Sequence, residues 1–486
     1  MSEGNSFDII IIGAGLSGVG AACRYRTEFP DDKIAIIESR EAIGGTWDLF
    51  RYPGIRSDSD MLTLGYDFRP WVGDKTLADG TSIREYIETV ANEYDITKYI
   101  QFNSKVTEMN FSCDTDFWTL TVIDAKTNKP RKLRARVVLS AAGYYKYEKG
   151  YTPHFDGREN FEGEIVHPQH WPEKFEYARK KVVVIGSGAT AVTLIPEMAK
   201  IADHVTMLQR SPTYIASIPA RDKIGNFFRA LLPEKTAYKI NRAKNIWIAR
   251  KMYSRARKNP KKAREWFRKK TIAALGPDYP VDTHFNPDYD PWDQRVCIIP
   301  DGDLFNVIRD GKASVITDHI DHFTPGGIKL KSGKELAADV IVTATGLDVI
   351  FNGGADFKID NRAISISEKF GYKGMMYSGV PNMISVFGYT NASWTLRADL
   401  ISQYAVRLIS HMKENGYTRA VPTAPENMAR KPWIEFQAGY LQRVMDKLPS
   451  QGDRHPWLNL QDYKTDIKLM LEHPINDEAI KFSNST

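Results

Sequence analysis

Cysteine is scarce in this chain. Only Cys23, Cys113 and Cys297 occur among 486 residues, too far apart for a CxxC pair, a metal-ligand spacing or a disulfide framework. A disulfide-stapled fold is thereby excluded, and a reducing compartment fits. Long apolar runs are missing too. The longest uncharged apolar stretch, residues 9–23, is interrupted by Gly13, Gly15, Gly18 and Gly20. It is too short and too glycine-rich to span a bilayer, and no basic segment precedes it as in a signal peptide. The expected location is therefore cytoplasmic. With 42% hydrophobic residues the chain can bury extensive cores, and its length suggests two or three domains.

Acidic residues are nearly absent from one segment. Residues 221–270 hold 18 Lys/Arg and three acids, +15 against a chain total of +6, which leaves −9 for the remainder. Ile224, Phe227, Phe228, Leu231 and Leu232 form a helical stripe at the start of this block. One reading is a helical insertion that packs this stripe on the body. The other is a basic amphipathic helix resting on an anionic membrane surface. No recognition motif for nucleic acid accompanies the charge.

Glycine, by contrast, is placed with a pattern. DIIIIGAGLSG at 8–18 and KVVVIGSGATA at 181–191 are each an apolar strand followed by GxGxxG/A and a helix-like continuation, the context of a Rossmann turn. In this pattern Gly13 and Gly186 permit the tight turn. Gly15 and Gly188 let backbone N–H groups approach a pyrophosphate, and Gly18 and Ala191 allow close helix packing. A second repeat follows: RVVLSAAG at 136–143 and DVIVTATG at 339–346 read as later buried strands, one per fold. The expected fold class is α/β, with two Rossmann-like dinucleotide-binding domains, the second inserted in the first. The first comprises 1–150 and 346–486, a linker spans 151–180, and the second spans 181–345 with a basic helical insertion at about 215–290.

The two sites differ at the end of the second strand. Glu38 in the first accepts hydrogen bonds from ribose hydroxyls and repels a 2′-phosphate. The second offers Arg210 and Ser211, suited to phosphate. The contrast predicts FAD or NAD in the first site and NADPH in the second, hence electron transfer between them. Disulfide reductases share this plan but need a CxxxxC pair, which is absent. Instead EAIGGTWDLFRYPGIRSDSD occupies 41–60 and FEGEIVHPQHWP occupies 161–172.

These two stretches resemble the signatures of type I Baeyer–Villiger monooxygenases. The fingerprint FxGxxxHxxxWP matches at Phe161, Gly163, His167, Trp171 and Pro172, and the second signature at Gly45, Trp47, Tyr52, Pro53, Gly54 and Asp58. IGSGATAVTL, MLQRSPTYI, PWDQR and GYTNASWTL resemble the family's ethionamide-activating branch. The resemblance implies FAD held by Gly13, Gly15, Ser17, Gly18, Glu38, Gly45, Thr46, Trp47, Asp48, Leu49, Arg56, Ser57, Asp58 and Val106. It implies NADPH held by Gly186, Ser187, Gly188, Ala189, Thr190, Ala191, Arg210 and Ser211. Arg295 is the implied active-site arginine and Asp58 its carboxylate partner, with no metal. The implied reaction inserts oxygen from O2 beside a ketone carbonyl through a C4a-peroxyflavin, and oxygenates sulfur. An N/S-oxygenating flavin enzyme without ester formation and a non-enzymatic FAD/NADPH redox sensor are the alternatives. His167 is expected to couple the two domains across the linker. A late helix is expected after GYTN, capped by Thr390 or Asn391, with Trp394 either in the pocket or in the core.

Overall fold

A computed structural model describes residues 5–485. Ser6–Ile12 (β1) is buried from Ile9 onward, the pattern of a parallel strand covered on both faces. The chain turns at Gly13 into Leu16–Glu28 (α1) and returns as Ile34–Ile37 (β2), parallel to β1. Gly13 has a φ of +101°, and a Cβ there would lie 2.6 Å from the Ala141 carbonyl oxygen. At Gly18 a Cβ would lie only 1.8 Å from the Gly13 oxygen. Residues without side chains let α1 sit this close to its strand.

Pro130–Ser140 (β3) lies on the other side of β1 and changes partner along its length. Its first half pairs antiparallel with Phe117–Asp124. Its last three residues pair in parallel with Met383–Ser385, so the chain re-enters the first sheet long after leaving it.

Between these passages stands a second, wholly parallel sheet. It is built from Glu164–Val166 (β4), Lys181–Ile185 (β5), His204–Gln209 (β6), Ala313–Thr317 (β7) and Val340–Thr343 (β8), in the order β7-β6-β5-β8-β4. Gly186, with φ +132°, turns β5 into Ala189–Met198 (α2). The segment 151–180, read from the sequence as a linker, thus contributes an edge strand: β-branched Ile165 and Val166 pair with β8.

The basic block also departs from expectation at its start. Ile215–Ile218 is a strand paired with Cys297–Pro300. Three helices follow: Lys223–Leu231 (α3), Glu234–Lys258 (α4) and Pro260–Leu275 (α5). Ile224, Phe227 and Leu231 are 59%, 61% and 65% exposed, so this stripe is not packed on the body. Among the described residues no helix is long and apolar enough to cross a membrane.

The late helix, Trp394–Glu414 (α6), begins after Ser393 without a side-chain cap. Neither Thr390 nor Asn391 caps it. Gln461 takes both: its Oε1 accepts from the Thr390 N–H at 2.9 Å, and its carbonyl accepts from Asn391 Nδ2 at 3.0 Å.

The two sheets meet through an apolar wedge. Leu49, Phe50 and Tyr52 come from the first fold's chain segment yet belong to the core of the second, beside Val192, Ile195 and Phe305. Each fully buried side chain of this size contributes about 1.5–3 kcal/mol, so the wedge outweighs any partly exposed ion pair at the same boundary.

The Gly18→Ala variant is expected to lose thermal stability and to retain less flavin through purification, because α1 must move off the strand that ends at Gly13. Differential scanning fluorimetry and the flavin-to-protein absorbance ratio measure both, and wild-type values for both would contradict this account of α1 packing.

Candidate active site

Both glycine turns open into one cavity of about 680 Å³ between the two sheets. On the first side Gly13, Gly15, Ser17 and Glu38 line it. The Glu38 carboxylate is fixed by two backbone donors, the Ala14 N–H at 2.7 Å and the Arg40 N–H at 2.9 Å. On the second side Gly186, Ser187, Gly188, Ala189 and Thr190 line it, with Arg210 and Ser211 at the rim. A Cβ at Gly188 would meet no atom within 4 Å, so that turn faces open space. Arg210 is exposed and makes no ion pair or hydrogen bond among the described residues.

The floor is supplied by residues 45–58. Gly45, Thr46, Trp47, Arg56, Ser57 and Asp58 line the cavity, as does Val106. Four predicted contacts stand behind the wall instead. Gly18 and Ala191 pack the helices, Leu49 sits in the second core, and Asp48 is a buried acceptor for Arg40, at 2.6 Å, and for Arg51. Arg56 crosses between the folds to Asp303 at 2.7 Å, while its Nε and Nη2 are buried without a partner.

Arg295 meets Asp58 at this floor, and both line the cavity. Arg295 Nε donates to Asp58 Oδ2 at 2.6 Å, and a second guanidinium nitrogen contacts the same carboxylate. The Asp58 carboxylate holds the guanidinium's pKa well above its ordinary value, which is itself high enough to keep the group charged. Cys297, two residues on, is buried, and its thiol is pushed up to about 12; it is an inert packing group.

Three tyrosines around this pair were not singled out from the sequence. Tyr144, Tyr145 and Tyr440 line the cavity. The hydroxyls of Tyr144 and Tyr145 are 2.6 Å apart, and burial raises all three phenol pKa values, so they remain protonated. Tyr144 stacks on Trp394 at 5.0 Å, and Trp394 donates its indole N–H to Ser17 Oγ at 2.9 Å. Trp394 is therefore a cavity residue. Tyr144 and Tyr145 directly follow RVVLSAAG, a strand end aimed at the cavity, which is a usable signal. Tyr440 has none.

None of the fingerprint residues Phe161, Gly163, His167, Trp171 and Pro172 lines the cavity. They fasten its back. His167 Nδ1 accepts from the Gln169 N–H at 3.1 Å, and Nε2 lies 3.3 Å from the Gly346 carbonyl. Both contacts together require a neutral ring with its proton on Nε2. Gln169 in turn donates to the carbonyls of Lys146 and Tyr147, at 2.7 and 3.0 Å. The segment thus joins the strand-end loop of one fold to that of the other. Phe161 packs edge-on against Phe323 and Trp171 against Phe175. At Gly163 a Cβ would lie 2.4 Å from the Asp339 oxygen. Pro172 is exposed.

Two dinucleotide-binding folds facing one cavity, with a fixed cation between them, are the architecture of an oxidoreductase that serves two nucleotides. Residues 11–69 match the model of an NAD(P)-binding Rossmann-like domain, and residues 75–272 match that of the flavin-binding monooxygenase-like family. The chain is 48% identical over 478 residues to the FAD-containing monooxygenase EthA of Mycobacterium tuberculosis, covering 98% of this chain and 97% of that one. It is 47% identical to the putative FAD-containing monooxygenase MymA of the same organism, again over 98% and 97%. The protein belongs to this family of FAD-containing monooxygenases. In fold it is similar to a steroid monooxygenase crystallised in its oxidised state with NADP, at 21% identity and a TM-score of 0.78 over 99% and 100% of the two chains.

Burial lowers the His167 pKa from the ordinary 6.5, partly offset by its backbone acceptors. The unfolded chain therefore binds the extra proton first as pH falls. Stability from this site is complete above about 6.5 and declines as pH drops below that value. The melting temperature is expected to fall between pH 7.5 and 5.5 by more in the wild type than in His167→Gln. Equal slopes would show that this ring is not the titrating clasp.

Proposed function

We propose that this enzyme is a Baeyer–Villiger monooxygenase that uses NADPH and O2 to insert oxygen beside a ketone carbonyl, and that it also oxygenates thioethers and thioamides. The observation that carries this reading is the Arg295–Asp58 pair, set across the floor of the cavity into which both glycine turns open.

FAD, when bound, supplies the redox chemistry, accepting hydride from NADPH and activating O2. The residues present fit such a group. Gly15 and Gly45 bring backbone together at the lining, where a Cβ on Gly15 would lie 3.5 Å from the Gly45 Cα. Glu38 offers a fixed carboxylate to ribose hydroxyls. The unpartnered Nε and Nη2 of Arg56 are donors without an acceptor, as an anionic or carbonyl-bearing ligand requires. Ser17, Gly45, Thr46, Trp47, Ser57 and Val106 complete that lining, with Gly13 at the turn. Opposite, Gly186 to Thr190 form the phosphate turn for NADPH, and Arg210 with Ser211 meets the 2′-phosphate.

Arg295 faces the negative charge that develops on the carbonyl oxygen of the substrate. Asp58 fixes the guanidinium plane, so no reorganisation is needed when that charge appears. Tyr144, Tyr145, Tyr440 and Trp394 wall this spot with aromatic surface, which excludes water and favours apolar ketones and sulfides.

Two substitutions test the assignment. Arg295→Ala is expected to keep oxidising NADPH but to lower ester formation by roughly 10²–10³-fold. The assay is label recovery from 18O2 in esters made from a panel of linear, cyclic and aryl ketones. An ester yield equal to wild type would reject the role. Arg210→Ala is expected to raise the KM for NADPH by about tenfold or more while leaving that for NADH unchanged. A variant that still prefers NADPH by the wild-type factor would place the phosphate elsewhere.

A further inference from the structure

We propose that helices α3, α4 and α5 form a docking face for an anionic lipid surface. Eleven large apolar side chains are exposed among the described residues, and eight of them lie on these three helices. They are not scattered. Ile224, Phe227 and Leu231 share one side of α3 at i, i+3 and i+7. On α4, Ile240 and Trp247 are seven apart, and Lys251 and Lys258 continue the same stripe. Trp266 stands exposed on α5. The helices pack in succession, α3 on α4 and α4 on α5.

Cations accompany this apolar surface. Of the 18 Lys/Arg in residues 221–270, nine have no carboxylate or hydrogen-bond partner among the described residues: Lys223 on α3, five on α4 (Lys235, Lys239, Lys251, Arg255 and Lys258) and Lys261, Lys262 and Lys270 on α5. Lys251 lies 4.2 Å from the centre of the Trp247 ring and Lys270 lies 6.0 Å from that of Trp266. Tryptophan with lysine at an apolar boundary is the composition that settles between lipid headgroups and acyl chains.

The charge selects the occupant. A second copy of this chain would bring the same local +15 against it, and like charges at close range oppose that contact. A nucleic acid would satisfy the lysines but leave Ile224, Phe227 and Leu231 in water. An anionic bilayer satisfies both at once, with phosphates for the cations and acyl chains for the stripe. Since no described helix can span a membrane, the face lies on the surface. The scaffold is rigidly attached: buried Arg242 donates to the carbonyls of Leu62 and Gly65 at 2.6 and 2.8 Å, and Tyr238 donates to that of Tyr66 at 2.8 Å.

Flotation of the full-length, FAD-loaded protein tests this directly. It is expected to float with vesicles of phosphatidylcholine mixed with phosphatidylglycerol, to remain behind with pure phosphatidylcholine, and to be released by high salt. The double variant Lys251→Gln/Lys258→Gln is expected to lower the partition coefficient roughly 30-fold, and Phe227→Glu/Trp247→Glu to abolish binding. Both should keep wild-type flavin absorbance and turnover of a water-soluble substrate, which separates lost docking from lost folding. No flotation, equal flotation with both vesicle types, or unchanged binding in both variants would overturn the proposal. Light scattering that shows a dimer in the wild type and a monomer in Phe227→Glu/Trp247→Glu, without vesicle binding, would overturn it in favour of self-association.

Discussion

A guanidinium that is to meet a developing negative charge must be present, charged and correctly aimed before that charge exists. In the proposed reaction Arg295 meets the first two conditions by its own chemistry, and Asp58 holds the cation in a half-enclosed cavity. The third condition is geometric, because the two residues lie 237 positions apart, in loops that connect elements of different sheets. Such a pair does little to hold those sheets together. With Arg295 38% and Asp58 23% exposed, the contact is worth at most about 1 kcal/mol. It reports the domain arrangement rather than creating it.

What creates the arrangement is apolar. Leu49, Phe50 and Tyr52 leave one fold and finish the core of the other, so separating the sheets would expose three large side chains at once. The residues that follow this wedge are the cavity floor itself, Arg56 to Asp58. One segment therefore does two jobs: its first half anchors in the second fold, and its second half presents donors and a carboxylate to the cavity. The clasp at His167 and Gln169 closes the opposite end, where the strand-end loops of the two folds come together. Held at both ends, the Arg295–Asp58 register can be kept with only two hydrogen-bonded contacts.

Much of this was legible in the residues, for reasons that can be stated. The glycine turns are local: tight geometry within a dozen positions demands Gly13 and Gly186, so pattern alone finds them. The Glu38 and Arg210 contrast is equally local. Arg295 with Asp58 is not, and only the resemblance of two distant stretches brought them together. Tyr440 escaped notice because its place depends on where the C-terminal chain folds back, which no periodicity encodes. The helix cap at Thr390 or Asn391 failed for a related reason. Both have the right chemistry, but Gln461, seventy residues on, competes for them. The stripe at Ile224 was seen correctly as amphipathic. What lies against it stayed open, because periodicity tells which side is apolar and not what covers it.

Partner status sorts the cations of this chain by what they are for. Arg295 has a carboxylate against it and so is positioned: its remaining donors keep one direction whether or not a ligand is near. Arg242 is buried and spends its donors on carbonyls, so it is structural. Arg210 and the nine cations of the insertion have no carboxylate or hydrogen-bond partner among the described residues, so no carboxylate competes with an arriving anion. The difference follows from desolvation. A paired guanidinium inside the cavity has already given up water and has its direction set before a ligand arrives, whereas an exposed unpaired cation keeps its water and is free to turn toward an arriving anion. On that argument the ion pairs of the cavity floor set geometry, and the solitary cations at the rim and on the helices are the ones left free to meet an anion.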